Sequence, residues 1–266
     1  MKTVVITGSA RGLGFEMAKA FRENNVNVII SDLNEDSLVD AKEKLEKIES
    51  SSKVLYFVCD VTKSSDILNL IKFSKEQFSN IDIWVNNAGV NQPNMSVWEL
   101  DEKDIKFVLD VDLMGTIMCC KYVLKEMLQQ KSGAIYNVEG YGSNDAKMLG
   151  LSIYGTSKRA ITYFTQALAM ESEERNTGVI VGRLSPGIMI TDFIKTALGD
   201  KKEIKISSET KKIYNILGDY PDVVGRFLVN GMLTNTKNNA KIEWLTKRKA
   251  MWRFMTAGFN KRNFFD

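Results

Sequence analysis

Six short runs of aliphatic and β-branched residues alternate with longer stretches of helical period, and this alternation limits the possible folds more than any other feature. The runs are "TVVIT" (3–7), "VNVIIS" (26–31), "KVLYFVC" (53–59), "IDIWVNN" (81–87), "GAIYNV" (133–138) and "GVIVGRL" (178–184). They are apolar at consecutive positions, so both faces of each strand need cover. That is the pattern of a parallel sheet held between helices. Helical spacing fills 12–24, 35–49, 64–78, 101–130 and 152–174. Within 101–130 the apolar residues Ile105, Val108, Leu109, Leu113, Ile117, Cys120, Leu124 and Leu128 predict one long helix with one buried stripe. The expectation is a single α/β domain over 1–266, with a doubly wound parallel sheet and helices on both faces. Past Pro186 the pattern loosens into short helices and loops over 190–235, and "AKIEWL" (240–245) reads as a last strand.

The segment "TGSARGLG" (7–14) joins the first strand to the first helix. Glycine permits a tight turn and close approach of backbone amides to a ligand. The helix N-terminus behind it offers free N–H groups and partial positive charge to a pyrophosphate. Asp32 ends the second strand, where an acid accepts hydrogen bonds from ribose hydroxyls and repels a 2′-phosphate. The combination predicts a Rossmann-type dinucleotide site. Asp32, followed by Leu33, points to NAD; Arg11 inside the loop leaves NADP possible.

The chain has no histidine, but Tyr154 and Lys158 stand one helical turn apart and so share a face. Hydride transfer to a carbonyl leaves an alkoxide that needs a proton. A phenol with a reference pKa near 10 can supply it if a neighbouring ammonium favours the phenolate. The spacing alone is equally that of an ordinary surface pair.

Further landmarks follow in order: T-G-x-x-x-G-x-G in the glycine loop, "CDV" (59–61), "NNAG" (86–89), Y-x-x-x-K (154–158) and "SPG" (185–187). Over roughly residues 2–195 the set resembles the short-chain dehydrogenase/reductase family, classical type. "NVEGYGS" with "YGTSKRA" and the tail "IEWLTKRKAMWRF" look most like its chlorophyll b reductase-like branch. The resemblance implies a cofactor site in which Gly8, Ser9, Arg11, Gly12, Leu13 and Gly14 shape the pyrophosphate loop. Asp60 and Val61 would frame the adenine, and Asn87, Ala88 and Gly89 would line the floor. Pro186, Gly187 and Ile188 would hold the nicotinamide, with Thr191 at its carboxamide or the nearby phosphate. Tyr154 and Lys158 would be catalytic, and Lys158 would also hold the cofactor ribose. A sheet ordered 3-2-1-4-5-6-7 is implied, with a homodimer or homotetramer formed through the two long helices.

Two positions depart from the family pattern. Glu139 and Gly140 stand where a serine pair is expected. Ser143 is the favoured replacement, Tyr141 is second, and a site without such a hydroxyl stays open. Asp112 occupies the place of an asparagine that kinks the long helix and frees a main-chain carbonyl for a water leading to the lysine; the nearly isosteric aspartate could do the same, or its charge could instead pair with Lys158 and partly offset that lysine's pull on Tyr154. Glu139 itself is expected in solvent at the strand end, or facing a polar substrate group. The function read from these residues is hydride transfer between NAD(H) and a secondary alcohol or ketone. A dinucleotide-binding regulatory or scaffold protein with impaired turnover is the alternative.

Composition adds limits. Lys plus Arg number 36 against 33 Asp plus Glu, so net charge argues for no nucleic-acid partner. Cys59, Cys119 and Cys120 lack metal-ligand spacing, and the expectation is reduced, buried thiols, no metal and a cytoplasmic location. No export signal and no membrane-spanning run are expected. Residues 188–220, with Met189, Ile190, Phe193, Ile194, Ala197 and Leu198, form the expected substrate lid, apolar enough for a hydrophobic small molecule. The basic, aromatic tail 246–266 is expected to pack its Trp and Phe onto the body or another subunit, with a nucleic-acid or membrane-surface patch as the competing reading.

Overall fold

The computed structural model describes residues 1–189, 208–259 and 262–264. Seven parallel strands form its sheet: β1 (Thr3–Thr7), β2 (Asn27–Asp32), β3 (Val54–Val58), β4 (Ile83–Asn86), β5 (Gly133–Val138), β6 (Val179–Ser185) and β7 (Lys241–Glu243). Their order is β3-β2-β1-β4-β5-β6-β7, as the family resemblance implies. The helices are α1 (Gly12–Glu23), α2 (Glu35–Glu46), α3 (Ser64–Phe78), α4 (Glu102–Val108), α5 (Thr116–Gln130), α6 (Ser152–Glu174), α7 (Ser208–Leu217), α8 (Pro221–Thr234) and α9 (Lys247–Thr256).

Strand alternation divides the core in two. Val4, Ile6, Val28 and Ile30 point to one face and pack with Met17 and Phe21 of α1, Leu38 of α2 and Leu228 of α8. Val5, Ile29, Trp84, Ile135 and Val181 point to the other and pack with Leu70 of α3, Cys120 and Val123 of α5 and Leu168 of α6. Each such side chain, fully buried, contributes about 1.5–3 kcal/mol before chain entropy is counted. The strand order reverses beside β1, between β2 and β4. That leaves a crevice at the carboxyl ends of β1 and β4, the usual ligand position in such sheets.

The expected continuous helix over 101–130 is interrupted. Leu109–Gly115 is a π-helical stretch between α4 and α5, with Asp112 at its centre. The wider turn shifts the phase of everything after it. Val108 and Cys120 of the expected stripe are buried, whereas Leu128 is exposed. Gly115, at the end of the stretch, lets it approach Val61, since a Cβ there would lie 2.9 Å from Val61 Cγ2.

Candidate active site

At the end of β1, Gly8 and Gly12 adopt φ of +62° and +60°, a region costly for other residues. A Cβ on Gly8 would sit 2.6 Å from Ala88 Cα, and one on Gly14 2.4 Å from the Gly8 carbonyl oxygen. Gly12, by contrast, faces open space, and α1 starts there without a side-chain cap. Its first N–H groups are therefore turned to a cradle that suits an anion. Ser9 is fully buried, donating to the Ile6 carbonyl at 2.7 Å and accepting from Ser31 N–H at 2.9 Å, so its hydroxyl is spent on the loop itself. The Leu13 side chain belongs to the core, which leaves only its backbone for a ligand, and Arg11 is exposed.

Asp32 accepts from Ala10 N–H at 3.3 Å and Leu33 N–H at 2.8 Å, which sets its carboxylate beside the glycine loop. Asp60 accepts from the Thr62 hydroxyl at 2.7 Å and lies 3.3 Å from Lys63 Nζ. Burial works to raise its pKa, but the Thr62 and Lys63 interactions prevail and hold it below its ordinary value. Asn87 donates to the carbonyls of Thr7 and Gly8 at 3.0 and 2.7 Å, tying β4 to the loop after β1. Gly187, at φ +76°, packs on Leu245, and Ile188 accepts from Asp219 N–H at 3.0 Å. Thr191 lies outside the described residues, as do Ile190, Phe193, Ile194, Ala197 and Leu198 of the expected lid.

Tyr154 and Lys158 both lie buried in the first half of α6. Lys158 Nζ lies 3.2 Å from Asp112 Oδ2 and 5.4 Å from the centroid of the Tyr154 ring. The other oxygen of Asp112 accepts from Val90 N–H at 2.7 Å, and Ser157 donates to Oδ2 at 3.4 Å. A Cβ on Gly89 would be 3.3 Å from Lys158 Nζ, and one on Gly140 only 2.3 Å from the Tyr154 hydroxyl oxygen. The two strand-end glycines thus wall the pair.

Burial pushes Tyr154 well above its ordinary value, and the Asp112 charge pushes the same way. Burial also raises Asp112, and the nearby Lys158 ammonium opposes this without cancelling it. The lysine's charge is largely committed to the carboxylate that replaces the asparagine.

Ser143 is brought to α6, but through main-chain groups. It donates to the Lys158 carbonyl at 3.2 Å and accepts from Gly140 N–H at 3.1 Å. Tyr141 is half-exposed and donates to the Lys147 carbonyl at 3.0 Å. Glu139 is neither in solvent nor in the site. It is 4% exposed, accepts from Thr162 at 3.0 Å, and faces Arg183 at 3.6 Å and Lys241 at 3.8 Å. Parallel pairing of β5, β6 and β7 sets these two cations beside it.

Two groups escaped the sequence reading. Gln92 is buried, and its Oε1 accepts from the N–H groups of Ile153 and Tyr154 at 2.7 and 2.8 Å, capping α6 from another loop. Gln92 Nε2 and Asn91 Oδ1 are buried and, among the described residues, without a hydrogen-bond partner, polar atoms beside the site that a ligand could meet. Asn86 and Asn137 form a buried chain, from Trp84 Nε1 through Asn86 to Asn137 and on to Thr165. Asparagine inside "IWVNN" and "AIYNV" was its only sequence signal.

Residues 2–202 match the family model described as short chain dehydrogenase. The chain belongs to the short-chain dehydrogenase family. Members of that family are oxidoreductases that act on CH–OH or C=O groups of small molecules and bind a nicotinamide dinucleotide. The regulatory alternative is not favoured. The probable chlorophyll(ide) b reductase of Oryza sativa subsp. japonica, a chloroplastic protein, is 29% identical over 100% of this chain and 54% of its own length. A second chloroplastic chlorophyll(ide) b reductase of that organism is 30% identical over 95% of this chain and 74% of its own length. The chain thus spans about half the length of the first. The crystal structure of levodione reductase shares the fold, with a TM-score of 0.84 at 21% identity over 94% of this chain and 98% of that one.

The cytoplasmic expectation is overturned by these chloroplastic relatives. It rested on three cysteines, which are free and buried, and buried thiols suit more than one compartment. No helix among the described residues is long and apolar enough to cross a membrane.

Proposed function

We propose that the chain is an NAD(H)-dependent reductase of a hydrophobic carbonyl compound, with Tyr154 as proton donor. The buried Tyr154–Lys158–Asp112 cluster, walled by Gly89 and Gly140, carries this reading. The bound nicotinamide supplies hydride. The substrate oxygen that results is a far stronger base than a phenolate and takes the Tyr154 proton. Lys158 stabilises the phenolate that remains, and it is held for this by Asp112. Burial and Asp112 both favour the protonated phenol, the form that gives a proton in the reducing direction.

The glycine cradle, Asp32, Asp60 with Val61, the Asn87–Gly89 segment and Pro186–Ile188 are assigned to the dinucleotide. Asp32 supports NAD over NADP. The substrate is a bulky apolar molecule with a ketone or secondary alcohol, or a carbonyl compound related to those for which the plant relatives are named. Ile188 and Met189 are the described apolar residues of the expected lid segment. Exposed Tyr163 and Met170 on α6 and Phe107 on α4 support pairing of two copies through the long helices.

A cofactor-coupled absorbance screen tests the proposal. It covers ketones, alcohols and chlorophyllide b, each with NAD and NADP forms. Tyr154→Phe should lower turnover about 10²- to 10⁴-fold, the usual contribution of a positioned acid. Turnover equal to the parent's would remove Tyr154 from the mechanism.

A further inference from the structure

Helix α9 is inside out. A helix on a protein body normally buries its apolar stripe and exposes its charges. Here the buried residue is Arg253, which grips Asp219 with contacts of 2.6 and 3.1 Å. Turned outward are Met251, Trp252, Phe254 and Met255, exposed by 59, 56, 50 and 67%, with Phe259 beyond the helix at 92%. Lys247 and Arg248 are exposed at its start.

Charge says what fits this face. Between Trp244 and Phe265 the chain carries Lys247, Arg248, Lys249, Arg253, Lys261 and Arg262 and no acid. Asp219 holds Arg253 and Arg262, and among the described residues no acid pairs with Lys247 or Arg248. A second copy would meet the patch across a two-fold axis, setting the same cations against each other. An aromatic face with basic residues beside it is the composition of a helix lying in a lipid interface.

We propose that α9 docks the protein on an anionic lipid surface, with Trp252, Phe254 and Met255 at the headgroup–acyl boundary and Lys247 and Arg248 on the phosphates. The docked face is continuous with the active-site rim, because Asp219 main chain bonds to Ile188. Lipid docking would therefore bring the rim to where hydrophobic molecules dissolve. That last consequence rests on the proposed function; the docking does not.

The test is co-sedimentation of the full chain with phosphatidylcholine vesicles and with mixed phosphatidylcholine/phosphatidylglycerol vesicles. Binding to the anionic vesicles, released by salt, is expected. Lys247→Gln with Arg248→Gln should weaken it about 25-fold, at about fivefold per cation near the surface. Trp252→Ala with Phe254→Ala should abolish it with the circular dichroism unchanged, since both side chains are exposed. Failure to bind anionic vesicles overturns the proposal, as does binding that the aromatic pair does not affect. Self-association lost in that same variant would make a second copy the occupant. Salt-sensitive DNA binding that displaces vesicles would make it nucleic acid. No readout requires turnover, so failure here is separable from failure of the Tyr154 assignment.

Discussion

Asp112 is the residue on which the site's electrostatics turn. It holds Lys158 in place and at the same time makes the Tyr154 phenol harder to ionise. Asp112→Asn keeps one acceptor oxygen, enough for Val90 N–H or for Lys158 but not for both, and removes the negative charge. The phenolate then becomes easier to form, so the Tyr154 ionisation in the pH profile of alcohol oxidation should move to lower pH. Reduction at neutral pH should be at least equal to the parent's. Thermal stability should fall by about 1–3 kcal/mol, because the buried ammonium loses its charged partner. A collapse of turnover would show that the carboxylate itself is needed. Gly140 offers an independent check. Its Cβ would lie 2.3 Å from the Tyr154 oxygen, so Gly140→Ala should cost most of the activity while the melting temperature changes little. The Tyr–Lys pair was legible because one helical turn fixes a shared face. The fate of Glu139 was not, since its partners Arg183 and Lys241 come from strands whose adjacency local sequence does not encode.

At the level of elements, the helix that carries Tyr154 lacks a cap of its own. Leu151 precedes it and offers no side-chain acceptor, so Gln92 supplies one from the loop after β4. Gln92→Leu leaves two N–H groups unmet and should cost about 0.5–2 kcal/mol, as loss of a helix cap does. Tyr154 is one of the residues so anchored, and kcat should fall more than KM changes. Gln92→Glu keeps the acceptor and places a negative charge at a helix N-terminus, so stability and kcat should both return. If Leu and Glu variants reduce kcat alike, the cap does not position the tyrosine. No sequence rule finds this contact, because capping signals are sought within a few residues of the helix start and Gln92 lies in another loop. The π stretch was hidden differently. The residues around Asp112 have helical spacing, and only the slip of Leu128 to the surface betrays the extra residue per turn.

Across the whole molecule, the layering followed from the apolar runs, since both faces of a parallel sheet must be covered, whereas the strand order came from the family resemblance. The tail's Trp and Phe were expected to pack on the body or on another subunit. Phe264 meets Tyr220 edge-on with centroids 5.1 Å apart, whereas Trp252 and Phe254 of α9 face outward and Asp219 draws the cations in. Its oxygens accept from Trp244 Nε1 at 2.6 Å, Arg253 and Arg262. Lys249 sits beside this cluster, and burial first, then the Arg253 charge, lower its pKa from 10.5 to about 8, while Asp219 opposes them. The folded chain therefore gives up this proton near pH 8, whereas the unfolded chain keeps it until about 10.5. Stability contributed here rises with pH across that window, and the penalty is complete below it. Lys249→Gln removes the penalty, so its melting temperature should exceed the parent's at pH 7, and the gap should close as pH climbs through 8 toward 10.5. The ammonium also lies 2.8 Å from the centroid of the Trp244 ring, an attraction that glutamine forfeits. Melting above the parent's at pH 7 would show that desolvation and Arg253 outweigh it. A variant that melts below the parent at pH 7 would reverse that order and make the Trp244 contact the tail's principal anchor.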